Sequence, residues 1–319
     1  MNESKIINNY LKKLVINNNS SLNLNDDVFF DKSKKTVVSV DTYIEGSHFI
    51  DFKKPELVMK KIIRSSISDL ICKGVLPRYY FIAGAGDGKS FSQSNLKKIL
   101  RSLRQEQKKY NISLGGGDTV FSKKLSFTIT TIGYSKKIIN RNNAKLDDDI
   151  YVTGNLGDSF IGLQILKGKI KVNNKISKYF IKKYYEPDLQ LKFINSLLKL
   201  ANTSIDISDG LIDDLKKMIN RQSVSFHIFE KKIPISNTLN QLIEIRKLRK
   251  IDITSKGDDY QILFTANPIK SRIIKRISNN TGVKITKIGK IVSGKNKSKI
   301  INIKNKQIEA KNKGYIHQF

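Results

Sequence analysis

The chain has 319 residues, 39% of them hydrophobic, and a formal charge of +31 from 59 basic against 28 acidic side chains. This length buries a sizeable core in about two domains, while the lack of any run near roughly 18 apolar residues and of a signal-peptide core in residues 1–20 points to a cytoplasmic protein with no membrane association. The lone Cys72 excludes a disulfide framework and a cysteine-based zinc site, and the basic residues, scattered without an arginine-rich block, fit no specific nucleic-acid groove but supply a field that attracts nucleotides and phosphate esters.

Apolar residues at helical spacing over 6–15 predict a helix that the Asn-rich residues 17–25 break. Asp26 and Asp27 stand just before the apolar triplet 28–30, where metal binding and turn capping suit them equally. The β-branched run 36–40 reads as a buried strand ending at Asp41, with a loop carrying Glu45, Gly46 and His48 after it. A carboxylate at the carboxyl end of a strand lies where α/β sheets place ligands, so Asp41 is either a metal-site candidate or the cap of the following turn.

Pro55 opens a helix whose apolar side includes Val58, Ile62, Ile63, Ile67 and Leu70, and Gly74 closes it. Asp69 falls in its last turn on the face shared by Ile62 and Ser66, where helix dipole and burial both disfavour an anion. Such an acid needs a cation, either Lys73 at i+4 or a metal ion. Residues 78–83 read as a strand, and the following Gly84-Ala85-Gly86-Asp87-Gly88-Lys89-Ser90 mimics a phosphate-binding P-loop that is one residue too short. A surface loop before an amphipathic helix over 93–107 is expected instead.

Residues 112–114 form a short strand running into Gly115, Gly116, Gly117, Asp118 and Thr119. A glycine turn there lets the backbone approach a ligand, and Asp118 adds a hard oxygen suited to a metal-bound polyphosphate; a plain turn is the alternative. Residues 125–134 alternate as a strand with one exposed face. The polar segment 135–149 reads as the crossover to a second domain, which opens with a strand over 150–153, a glycine turn over 154–159 and a helix from about residue 160 whose amino end could hold an anion.

In residues 204–211 a short apolar strand carries Asp206, Ser208 and Asp209 immediately before a helix over 211–219. Asp206 and Ser208 would share one side of an extended strand, and Asp209 is either a ligand or that helix's N-cap. Gly257, Asp258, Asp259 and Tyr260 again place acids beside an apolar strand, over 261–265, and Gly314-Tyr315 lies near the end. No internal repeat is evident.

Taken in order, these segments resemble the thiamine-monophosphate kinase family, of the ATP-binding superfamily that includes aminoimidazole ribonucleotide synthetase and selenophosphate synthetase. The resemblance rests on Asp26-Asp27, Ser39-Val40-Asp41, Gly46-Ser47-His48-Phe49, Ser68-Asp69-Leu70, Gly116-Gly117-Asp118-Thr119, Arg141, Val152-Thr153-Gly154, Gly157-Asp158-Ser159, residues 206–211 and Gly257-Asp258-Asp259-Tyr260, nearly the whole chain. It implies an α/β (α+β) fold with mixed sheets and helices packed on them, divided into an ATP-, magnesium-binding and dimerisation domain over 1–137 and a domain over 138–319 that completes the active site. It also implies a homodimer that transfers the γ-phosphoryl group of ATP to thiamine phosphate, giving thiamine diphosphate and ADP.

Carried over by position, Asp27, Ser39, Val40, Asp41, Asp69, Asp118, Asp206 and Asp209 correspond to the shell of several Mg²⁺ ions. Gly117, Asp118, Arg141 and Ser208 correspond to ATP contacts, and His48, Asp258 and Tyr315 to contacts with thiamine phosphate. Val40 stands where the family usually has threonine, leaving only its backbone carbonyl for a metal. Asp258 replaces a glutamate and is one methylene shorter, Lys256 replaces a common glycine, and residues 314–319 are a loose version of the family's aromatic ending.

The residue types suit such chemistry on their own terms. A phosphate acceptor is already ionised, so no general base is needed, and the difficulty is bringing two polyanions together. Aspartate-held Mg²⁺ neutralises and aligns them, and hard oxygen ligands favour magnesium over softer-ligand metals. The alternatives are an enzyme of the same superfamily with a different acceptor and, from another class, a basic nucleic-acid-binding protein.

Overall fold

The computed structural model describes residues 3–311 and Gly314. In chain order its elements are α1 (Glu3–Asn9), β1 (Phe29–Asp31), β2 (Thr36–Ile44), α2 (Pro55–Cys72), β3 (Pro77–Gly86), α3 (Gln93–Tyr110), β4 (Ser113–Phe121), β5 (Ser126–Tyr134), β6 (Asp149–Thr153), α4 (Asp158–Leu166), α5 (Asn174–Tyr185), α6 (Ile194–Leu200), β7 (Thr203–Asp206), α7 (Leu211–Met218), β8 (Val224–Phe229), α8 (Asn237–Arg246), α9 (Lys250–Thr254), β9 (Ile262–Ala266), α10 (Ser271–Thr281), β10 (Ile285–Ser293), β11 (Lys299–Ile301) and β12 (Gln307–Ile308). The helix expected over 6–15 stops at Asn9 and gives way to a 3-10 turn, Leu11–Val15, because Asn8, Asn9 and Tyr10 favour helix weakly and Leu14 finds nothing to pack against, being 81% exposed.

Two mixed sheets organise the chain, as the α/β reading expects. The first runs β1-β2-β5-β3-β4 and is antiparallel except for the parallel pair β3 and β4. The second runs β12-β11-β8-β10-β6-β9-β7, with β11 and β8 its parallel pair.

Burial follows from residue spacing. On β5, Phe127, Ile129, Thr131 and Gly133 are buried while the residues between them are not, the period of two that turns one face to a core. On that face lies α2, with Val58, Met59, Ile62, Ile63 and Ile67 at most 1% exposed. The opposite face leaves Val40, Tyr79, Phe81 and Val120 uncovered.

β6 and β9 are buried at every residue because both of their faces are covered. Tyr151 and Phe264, stacked at 5.3 Å, join the core that contains α2's apolar side chains, whereas Ile150, Val152 and Leu263 pack with Leu211, Leu215 and Met218 of α7. One continuous core therefore fixes α2 against both sheets.

Two expected loops are strand instead. Gly116, Gly117 and Asp118 pair with Phe81, Ile82 and Ala83, and a Cβ at Gly117 would lie 1.8 Å from the Ile82 carbonyl oxygen, so the missing side chain serves strand approach. Gly84 and Gly86 belong to β3. The loop that remains folds onto itself, with Ser90 N–H donating to Asp87 Oδ1 at 2.8 Å rather than facing a ligand.

Candidate active site

A cavity of about 800 Å³ opens between β2, α2, the β7–α7 connection and the loop before β9. Asp41, Asp69, Asp206 and Asp209 line it together with Val40, His48, Ser208 and Asp258, residues drawn from segments up to 218 positions apart by number. β2 continues through Asp41 to Ile44, so Asp41 projects from mid-strand and not from a strand end.

The acids are held by hydroxyls. Ser39 Oγ donates a short hydrogen bond to Asp69 Oδ2, Ser68 Oγ donates to Asp206 Oδ2 at 2.6 Å, and Tyr43 O–H donates to Asp41 Oδ2 at 3.3 Å. Burial, followed by the charge of Asp206, pushes the Asp41 carboxyl up to about 7. Burial and the neighbouring Asp41 push Asp69 well above the ordinary carboxylate range, and burial raises Asp206. Three desolvated carboxyls, with Asp206 raising Asp41 and both of these raising Asp69, are a site deficient in positive charge, and their donor set is entirely hard oxygen. Such a set fits a divalent cation of the magnesium kind.

Behind this cluster lies a second polar layer. Lys73 is fully buried and pairs with Asp26 and Asp27, at 2.7 Å each, while donating to the Ser204 carbonyl at 2.8 Å. The lysine considered as a partner for Asp69 thus serves the earlier acid pair. Arg141 completes that network: its guanidinium pairs closely with Asp27, and its N–H donates to Asp26 Oδ2 at 2.9 Å. Asp27, the Cys72 thiol and Asp206 each place one possible ligand atom within 4.8 Å of the others. Burial pushes the Cys72 thiol far up, so this neutral sulfur contributes packing while Asp27 and Asp206 supply the oxygens.

Two loops close the far wall. Gly210 and Gly257 sit where the 206–210 and 255–260 loops touch, and a Cβ at Gly257 would lie 1.6 Å from the Ser208 carbonyl oxygen. Asp258 N–H donates to that same oxygen at 2.9 Å, and Tyr260 N–H to Ile207 O at 2.8 Å. Asp209 is not the N-cap of α7: it pairs with Lys217, and Asp214 Oδ2 instead accepts the amides of Asp209 and Gly210. β7 ends at Asp206, so Ser208 lies in the loop and not along the strand. The amino end of α4, which the sequence left open as a place for an anion, holds the chain's own Asp259, which accepts the Gly157 amide at 2.8 Å.

His48 lines the cavity with its ring edge-on to Tyr43, and its Nδ1 accepts the Ile44 amide at 3.0 Å, leaving Nε2 as the protonated nitrogen. Asp258 Oδ1 accepts the Lys61 ammonium at 2.7 Å and the Tyr260 hydroxyl at 2.9 Å. Lys61 and Tyr184 went unrecognised in the sequence, and Tyr260 was quoted there only as part of its motif, with no role. A signal was available for Lys61, because it lies with Ser65, Ser68 and Asp69 at helical spacing along one side of α2.

Gly117 and Asp118 lie elsewhere. Thr42, Thr128, Ala83 and Asp118 form one row across β2, β5, β3 and β4, so Asp118 stands roughly 14 Å from the cavity wall at Thr42. Gly314 reaches the cavity beside Asp209, while Tyr315 falls outside the described residues.

A family model described as AIR synthase related protein, N-terminal domain, matches residues 24–135. The chain is 33% identical over 328 residues to the thiamine-monophosphate kinase of Buchnera aphidicola subsp. Acyrthosiphon pisum, spanning 99% of this chain and 98% of that protein. It is 29% identical over 330 residues to the Bacillus subtilis protein of that name, with 99% of each chain covered. Among solved structures, AaThiL complexed with AMPPCP and TMP superposes with a TM-score of 0.83 at 27% identity, covering 100% of this chain and 99% of that one. The geometry of clustered carboxylates and the similarity along the full length lead to one assignment: the chain belongs to the thiamine-monophosphate kinase family.

Proposed function

We propose that the chain catalyses Mg²⁺-dependent transfer of the γ-phosphoryl group of ATP to thiamine phosphate, giving thiamine diphosphate and ADP. The observation that carries this reading is one cavity lined by four aspartates together with Lys61, His48 and Asp258, in a chain similar along its whole length to enzymes of that name. The solved relative carries AMPPCP and TMP together, which supports the two substrates.

An oxygen of the acceptor phosphate attacks the γ-phosphorus, and the bond from that phosphorus to the β–γ bridging oxygen breaks with its electron pair leaving on ADP. No proton has to move, so no general base is needed. Asp41, Asp69, Asp206 and Asp209, with Asp27, Ser39 and the Val40 carbonyl, would hold Mg²⁺. Those ions, when bound, supply charge neutralisation and alignment for the triphosphate. The chain's own contribution is preorganisation: Ser39, Ser68 and Tyr43 fix the carboxylates in place. Arg141 and Ser208 would contact ATP, Arg141 after parting from Asp27, and His48, Asp258 and Tyr315 would contact thiamine phosphate.

Gly117 and Asp118 enter this reading through a second copy of the chain. The uncovered face of the first sheet carries Val40 at 60%, Tyr79 at 44%, Phe81 at 37% and Val120 at 51% exposure, an apolar surface suited to a homodimer. Pairing there would bring Asp118 of one copy to the cavity of the other. The same reading divides the chain into domains 1–137 and 138–319 and places its action in the cytoplasm. The assay is direct: purified protein with ATP, Mg²⁺ and thiamine phosphate yields thiamine diphosphate and ADP in equal amounts, and folded protein giving no thiamine diphosphate above a no-enzyme control rejects the proposal.

A further inference from the structure

Lys61 combines properties that a surface lysine does not have. Its side chain is 3% exposed, its ammonium lies 4.1 Å over the Tyr184 ring and 5.6 Å from the Tyr260 ring, and it still lines the cavity. Its ion-pair partner, Asp258, is 29% exposed and sits at φ +69°, in the left-handed region, on the loop that touches Ser208. The pair therefore has a fixed cationic half, buried among rings, and an accessible anionic half.

Position along α2 matters equally. Lys61 precedes Asp69 by eight residues, so roughly 12 Å of helix separates the ammonium's base from the acid cluster, with Ser65 lining the cavity between them. Lys61 and Asp69 thus line one cavity from the same helix, roughly two turns apart. Lys167 and Lys256 also line the cavity, but Lys167 is exposed and Lys256 lies toward the Phe160 ring at the rim.

Resting on thiamine phosphate as the acceptor, we propose that Lys61 is the group that binds its phosphate, and that the acceptor exchanges partners with the Lys61–Asp258 pair. The acceptor is zwitterionic, with an anionic phosphate and a permanently cationic thiazolium ring. Its phosphate takes Lys61, and its ring takes the released Asp258. Neither buried charge is left unpaired at the end, so the exchange avoids the penalty that an uncompensated lysine would carry. A phosphate dianion also interacts more strongly with an ammonium than a carboxylate does.

The test compares thiamine with thiamine phosphate in calorimetric titrations, which need no turnover, on wild type, Lys61→Met and Asp258→Asn. Lys61→Met is expected to weaken thiamine phosphate by about 10- to 100-fold, the loss of one charge-assisted contact, while thiamine, which offers Lys61 no phosphate, is not weakened. Asp258→Asn is expected to weaken both ligands, since it meets the ring they share. KM for ATP serves as the control and should not move with Lys61→Met. If Lys61→Met does not fold, Lys61→Gln replaces it in the same comparison. Equal weakening of thiamine and thiamine phosphate by the Lys61 variant, or no weakening of either, overturns the proposal. A wild-type protein that makes no thiamine diphosphate overturns the acceptor assignment itself, a distinct outcome.

Discussion

Ser68 on α2 donates a 2.6 Å hydrogen bond to Asp206 at the end of β7, so the helix that covers the first sheet is joined to the second sheet at the floor of the cavity. Both residues are 2% exposed. Ser68→Ala leaves a buried carboxyl short of a donor, which costs about 1–3 kcal/mol. Denaturant unfolding should record that loss, and activity should require more Mg²⁺ because Asp206 then holds its proton more tightly.

The raised carboxyls give a pH dependence with a definite sign. Asp41 titrates at about 7 in the folded chain against an ordinary value of 3.8. The folded state therefore holds this proton more strongly than the unfolded state, and the metal-free protein loses stability from this group as pH rises between those values. Comparison with Asp41→Asn isolates the effect: the variant's advantage in melting temperature, measured in chelator, should grow from pH 4 to pH 7. Mg²⁺ competes with the same protons, so its affinity should rise over that interval. A constant or shrinking advantage contradicts the assignment.

The distance of Asp118 from its own cavity leads to a complementation experiment. Asp118→Asn and Asp206→Asn should each be inactive alone. When the two are mixed and allowed to exchange subunits, heterodimers contain one site with both aspartates intact, and activity should return to about a quarter of the wild-type value. An Asp118 that serves its own chain gives no recovery.

Lys89 is exposed in a turn whose Ser90 amide is taken by Asp87. Lys89→Ala should leave kcat and KM for ATP within about twofold of wild type, since an exposed side chain away from the cavity contributes little. A large rise in KM for ATP would restore a phosphate-binding role to that loop.

What the sequence made readable was mostly local. Pro55, the apolar stripe after it and Gly74 define α2 nearly to the residue, since a proline in the first turn and a left-handed glycine past the end are physical stops. Gly115 to Gly117 misled because glycine marks a turn in one setting and a close strand contact in another, and only the Ile82 carbonyl distinguishes them. Asp209 resembled a cap because the competing acceptor, Asp214, lies a turn further on. The pairings of Lys73 with Asp27 and of Lys61 with Asp258 are tertiary, the latter across 197 residues, and no local pattern encodes them.

On the proposed function Asp41, Asp69 and Asp206 converge on divalent cations shared with a triphosphate. The most direct measurement of that convergence is anomalous diffraction from crystals grown with AMPPCP and Mn²⁺ in place of Mg²⁺. Mn²⁺ peaks are expected about 2 Å from oxygens of those three carboxylates and in contact with the phosphates. Nucleotide bound with no ion among the three carboxylates would contradict it.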